Sequence, residues 1–171
     1  MGLADGEGYL GGMHRTSLTI YLRNHDAAAQ AGMALFRRAE RNQRERPYAA
    51  ELTALRADVE QDARALRSVL ETEGVQPDRP QSLLLQLGER VGRLKPNGSL
   101  LRRAPLSDLI EVEAMFDIVR AKAAGWQALS TLPAPKWRDQ VDPEHYYRRA
   151  MDQADRLSTI HRSVATLLFT P

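Results

Sequence analysis

The stretch DPEHYYRRAMDQADRLSTIHRSVATLL, residues 142–168, decides the fold. Asp142 followed by Pro143 is a helix N-cap with proline at the first helical position, where its missing N–H costs nothing. Tyr147, Ala150, Ala154, Leu157, His161, Val164 and Leu168 then recur at spacings of three and four, which lines them along one side of a helix. A stripe that long has to be covered, and the rest of the chain offers only more helices to cover it.

Outward from this segment the same pattern recurs three times. Ser17 stands at an N-cap position ahead of Leu18, Leu22, His25, Ala29, Gly32, Phe36 and Ala39, which predicts a helix over about residues 18–45. Pro47 suits the first turn of a second helix, whose stripe is Tyr48, Leu52, Leu55, Val59, Asp62, Leu66 and Val69 and whose end is Gly74. Ser107 and Asp108 read as the cap of a third, with Leu109, Val112, Phe116, Val119, Ala123 and Trp126 on its stripe, stopped by Thr131-Leu132-Pro133-Ala134-Pro135. Between the second and third lies a short amphipathic stretch with Leu84, Leu87, Val91 and Leu94, bounded by Pro77 and Pro80 before it and Lys95-Pro96-Asn97-Gly98 after it. No segment alternates with a period of two, and Asn97-Gly98 lies between helical patterns rather than strands. The expected fold is all-α: a four-helix bundle over residues 17–170, with a short extra helix between the second and third long helices. Residues 1–16, with five of the chain's eleven glycines and no apolar period, read as a disordered tail.

Composition narrows the chemistry. At 171 residues the chain matches one domain with a continuous core. The absence of cysteine removes disulfides, thiolate zinc sites, iron–sulfur clusters and thiol nucleophiles. With 24 basic and 22 acidic residues the net charge is only +2, so charge does not imply a nucleic-acid partner. The first residues carry no basic segment leading into an apolar one, and no apolar run approaches the roughly 18 residues of a membrane span. The cytoplasm is the default location, with no membrane partner.

Each stripe is interrupted by one ionisable group: His25, Asp62, His161 and, at the edge of the third, Glu113. A buried charge must be paired, hydrated or used to bind something. In an up-down-up-down bundle the four groups fall near one level. With a long crossover between the second and third helices, Glu113 and His161 rise to about 27 Å and leave His25 with Asp62 as a separate pair. Two imidazoles and two carboxylates suit a single Fe, Mn or Zn ion, and the alternative is a polar network that fixes helix register. A di-iron site would need Glu-x-x-His on two helices, and that motif is absent. The nearest approach, Asp142-Pro143-Glu144-His145, occupies a helix cap. Glu60 and Glu111 could add ligands only if their helices rotate from the faces assigned. Arg90, Arg93, Lys95, Arg102 and Arg103 make the connector basic, which reads first as a solvated loop and second as a phosphate or nucleic-acid contact. Trp126 and Trp137 read as core and loop-packing residues.

The segments YLRNHDAAAQAG (21–32), ADVEQDARAL (57–66), GERVGRLKPNGSLLRRAPLSDLIEVEA (88–114) and RLSTIHR (156–162) resemble an uncharacterised family of bacterial ferritin-like bundle proteins. The resemblance covers most of residues 17–168 and is most specific over 88–113. It implies a ferritin-like fold with crossover topology, and motif positions at His25, Glu60, Asp62, Glu111, Glu113 and His161. The missing paired Glu-x-x-His ligands set the chain apart from ferritins that oxidise and store iron. The expectation is a non-catalytic or weakly metal-binding bundle, paired as a homodimer through an exposed helix face. The alternatives are a metal-dependent oxidoreductase or hydrolase built on the same residues, and an interaction module using the basic connector. No small-molecule substrate is readable from the residues.

Overall fold

The computed structural model describes residues 4–77 and 105–170. Among these the secondary structure is four helices and no strand: α1 (Ala4–Asn42), α2 (Ala49–Thr72), α3 (Pro105–Ser130) and α4 (Pro143–Phe169). The expected short helix over residues 84–94 and the basic connector lie outside the described residues.

Two helix ends follow the sequence signals closely. At the start of α4 the Asp142 carboxylate accepts from the Glu144 backbone N–H at 3.0 Å, with Pro143 at the first turn. At the end of α2, Gly74 takes the left-handed conformation, φ 66°. It thereby lets Val75 N–H reach the Leu70 carbonyl at 2.8 Å and its own N–H reach Glu71 at 3.1 Å.

Three other starts differ, the first being α2, which begins at Ala49 with Tyr48 as its N-cap and leaves Pro47 in the turn before it. α1 begins at Ala4, so most of the segment read as a tail is helical and Ser17 lies inside the helix. Extending an existing helix costs far less than nucleating one, so a good cap residue and several glycines do not stop propagation from the amphipathic segment downstream. Likewise α3 begins at Pro105, two residues ahead of the assigned cap. Asp108 is buried, accepting from Arg46 Nε at 2.9 Å and Nη2 at 2.6 Å, and so ties the α1–α2 turn to the start of α3.

Side-chain pairs fix the helix directions. Going up α1, His25 meets Gly125, Gly32 meets Ile118 and Arg38 meets Glu111, so α1 and α3 are antiparallel. Asp62 with Arg149 and Asp58 with Arg156 make α2 and α4 antiparallel, and Trp126 with Tyr146 and Glu113 with His161 do the same for α3 and α4. The pairs Arg37–Glu60 and Arg67–Asp26 set α1 against α2 in opposite senses. Hence α2 and α3 run in parallel, and α2 ends at the opposite end of the bundle from where α3 begins. Of the two arrangements open to the sequence, this is the one that separates the four seam groups into pairs.

The interior holds two apolar clusters stacked along the bundle. One gathers Phe36, Leu52, Leu55, Val59, Val112, Met115, Val119, Leu157 and their neighbours. The other gathers Leu22, Leu66, Val69, Leu70, Trp126, Leu129 and Trp137. Both tryptophans are buried, as read from the sequence. Each fully buried leucine or valine contributes about 1.5–3 kcal/mol, so the stripes supply the main driving force for the fold. None of the helices is long and apolar enough to cross a membrane, among the described residues.

Candidate functional site

Where the two clusters meet, the packing leaves a pocket of about 200 Å³ among α1, α2 and α3. Its origin is the run of small residues at the facing positions, Ala28, Ala29, Ala63, Ala121 and Gly125, which cannot fill the space that Val59, Leu66, Val119 and Trp126 wall off. Protein interiors are normally filled to crystal density, and a void of about 150 Å³ already accepts benzene. The walls are mainly apolar. The polar side chains on them are Tyr21, Asn24, His25, Asp62 and Lys122.

His25 is positioned by its neighbours on both sides. Its ring lies 4.4 Å, centroid to centroid, from Tyr21 one turn earlier in α1, tilted by 55°. On the other side it rests against α3 at Gly125, where an added Cβ would stand 2.7 Å from Cε1 and 2.8 Å from Nδ1. Neither ring nitrogen makes a hydrogen bond among the described residues. Burial pushes the ring's pKa below the ordinary histidine value, so near neutral pH it is an uncharged base with an open lone pair.

Asp62 has no exposed side-chain surface and is the centre of a polar cluster. Its Oδ2 accepts from Lys122 Nζ at 2.5 Å and from Gln153 Nε2 at 2.8 Å, and Lys122 also donates to Gln153 Oε1. Arg149 Nε approaches Oδ1 to 2.6 Å, but off the line a hydrogen bond requires, while its Nη2 donates to Asp58 Oδ1 and Gln61 Oε1 at 2.8 Å. Asp62 therefore faces two cations. Burial pushes the Lys122 ammonium below the usual lysine range; the Asp62 charge opposes that shift and Arg149 adds to it.

The remaining residues singled out from the sequence lie elsewhere. His161 Nε2 and Glu113 Oε1 are 3.1 Å apart across α4 and α3, with side chains 39% and 53% exposed, at a separate open pocket that Phe116, Asp117 and Ser158 also line. Glu60 pairs with Arg37 and Arg56 at 2.8 Å each on the α1–α2 face, and those hydrogen bonds, Arg37's first, hold its carboxyl below the ordinary range. Glu111 is fully buried, its Oε1 accepting from Arg38 at 2.8 Å and Asn42 at 3.3 Å and its Oε2 from Gln43 at 3.0 Å. So His25 shares a pocket with Asp62, and Glu113 shares another with His161. Among the described residues no group of three or more His, Asp or Glu is gathered to hold a metal ion.

The apolar period marks the buried carboxylate Asp62 and not its partners. Lys122, Arg149 and Gln153 each stand beside an apolar stripe rather than on it, so the period does not mark them. The available signal was spacing: Arg149, Gln153 and Arg156 recur every three to four residues along α4, a polar ridge that faces α2.

Among the described residues, fold and site together define an all-helical bundle of four helices with a ligand-sized pocket among α1, α2 and α3. No protein-family model, no curated protein and no solved structure matches the chain.

Proposed function

We infer that the chain is a ligand-binding bundle of ferritin-like arrangement, which takes one small, largely apolar molecule bearing a single polar group into the pocket among α1, α2 and α3. The parallel course of α2 and α3 supports the ferritin-like arrangement. The observation that carries the binding role is the His25 imidazole, without a hydrogen-bond partner among the described residues, on the wall of a mostly apolar pocket that Lys122 and Asp62 also line. Sites for small molecules combine a mostly apolar lining of this kind with a few placed polar groups. Fe, Mn or Zn fits the same residues less well, because Asp62 already serves Lys122 and Arg149 and its charge is unavailable to a cation.

Calorimetric titration with benzyl alcohol and 1-hexanol tests the reading, with Trp126 fluorescence as a second signal because its indole lines the pocket. Saturable one-to-one binding, lost when Ala28→Phe fills the space in a chain of unchanged helicity, is the expected result. Absence of saturable heat with both probes, or equal binding by Ala28→Phe, overturns it.

A further inference from the structure

The chain has 24 basic side chains and only three are lysines, Lys95, Lys122 and Lys136. Buried carboxylates are met by arginine: Glu111 by Arg38, Asp108 by Arg46 and Asp26 by Arg67. Asp62 too has its guanidinium, Arg149, and beyond it the amine of Lys122. A guanidinium remains charged at every accessible pH, whereas an amine that loses its proton becomes a nucleophile. The cluster thus places beside the pocket the one kind of cation that has covalent chemistry available to it.

We propose that the pocket's ligand is an apolar aldehyde or ketone and that Lys122 Nζ condenses with its carbonyl carbon to form an imine. This rests on the binding role proposed above and adds the ligand's reactive group. Lys122 and Asp62 both line the cavity, and the contact of Nζ with Oδ2 sets the amine beside the space a carbonyl would occupy. The ammonium first passes a proton to Asp62 Oδ2, 2.5 Å away. The freed lone pair forms the C–N bond as the carbonyl π pair moves to oxygen. Oxygen then leaves as water, carrying two of the three original Nζ hydrogens, and the C=N bond forms. The product is a protonated imine facing the restored Asp62 carboxylate. Charge is conserved and no oxidant or reductant takes part. Burial, which favours the neutral amine, lowers the cost of the first step. His25 stands against Gly125, one turn along α3 from Lys122, and is placed to move protons during loss of water.

The test uses the whole chain with benzaldehyde at low excess and sodium cyanoborohydride, followed by peptide mapping. Exposed Lys136 is the internal reference. The expected result is reductive labelling of Lys122 at least about ten-fold faster than Lys136, suppressed by excess benzyl alcohol and absent at that position in Lys122→Arg. If benzyl alcohol binds the pocket while Lys122 labels no faster than Lys136, the imine is overturned and the binding role stands. If benzyl alcohol does not bind and Lys122 stays unlabelled, both fall.

Discussion

The His25 ring occupies the space that a side chain at position 125 would need: a Cβ built on Gly125 falls 2.7 Å from the ring's Cε1. Helices α1 and α3 therefore close on each other around an imidazole rather than around an aliphatic pair, and the pocket takes its polar wall from that contact.

Gly125→Ala sets two effects against each other. Alanine in a helix interior is favoured over glycine by about 1 kcal/mol, while forcing a methyl into a filled contact costs about 1–3 kcal/mol. In the native chain the clash is expected to dominate and lower the urea midpoint. In a His25→Ala background the clash is gone and the same substitution raises the midpoint. Equal signs in both backgrounds would show that the ring is not what glycine accommodates.

His25 also sets a pH dependence. Its folded pKa lies below its unfolded value of about 6.5, so between the two the unfolded chain binds a proton that the folded chain does not. Stability then falls as pH drops below about 6.5, by up to about 1.4 kcal/mol per unit, and this contribution levels off below the folded pKa. The difference in unfolding free energy between the native chain and His25→Gln should be flat above pH 7 and change steadily beneath it. A difference that is constant down to pH 5 refutes the assignment.

Asp62 and Lys122 are partners of unequal weight. Removing the carboxylate in Asp62→Ala leaves two cations facing each other in the interior, which costs about 3–5 kcal/mol. In Lys122→Met the carboxylate retains Arg149 and Gln153, and the methionine fills the aliphatic volume. Chemical denaturation should place Asp62→Ala below Lys122→Met by at least about 1 kcal/mol, and the reverse order would remove Asp62 from the centre of the cluster.

Apolar period and cap chemistry were enough to read the four helices, the N-cap at Asp142, the end of α2 at Gly74 and the burial of Asp62. They were insufficient for the start of α1, where propagation overrides a cap residue, and for Asp108, whose carboxylate serves Arg46 across the fold. The pocket was invisible for a physical reason. It arises from small residues on three helices at once, and a single helix that presents Ala28, Ala63 or Gly125 to a neighbour looks only well packed. His161 illustrates the converse: it keeps the period of α4's stripe yet lies at the rim, because a helical stripe is wider than the seam it covers.

Glu111 and Glu113 lie two residues apart on α3 and so point to different sides of the helix, with opposite consequences. Glu111, without exposed surface, gathers Arg38, Asn42 and Gln43. Gln43 is itself fully buried and hands the connection on to Tyr48, whose hydroxyl donates to its Oε1 at 2.9 Å. Glu111→Ala strips that network of its acceptor and leaves buried donors unmatched, for about 3 kcal/mol. Among the described residues Glu113 pairs with His161 alone, in the open, where a pair of this kind contributes about 0–1 kcal/mol when the imidazole is protonated and is screened by salt. Glu113→Ala should therefore shift the unfolding midpoint little at low salt and not at all in 1 M sodium chloride, while the Glu111→Ala deficit persists at both. A large, salt-independent loss for Glu113→Ala would mean that the His161 pair is part of the interior after all.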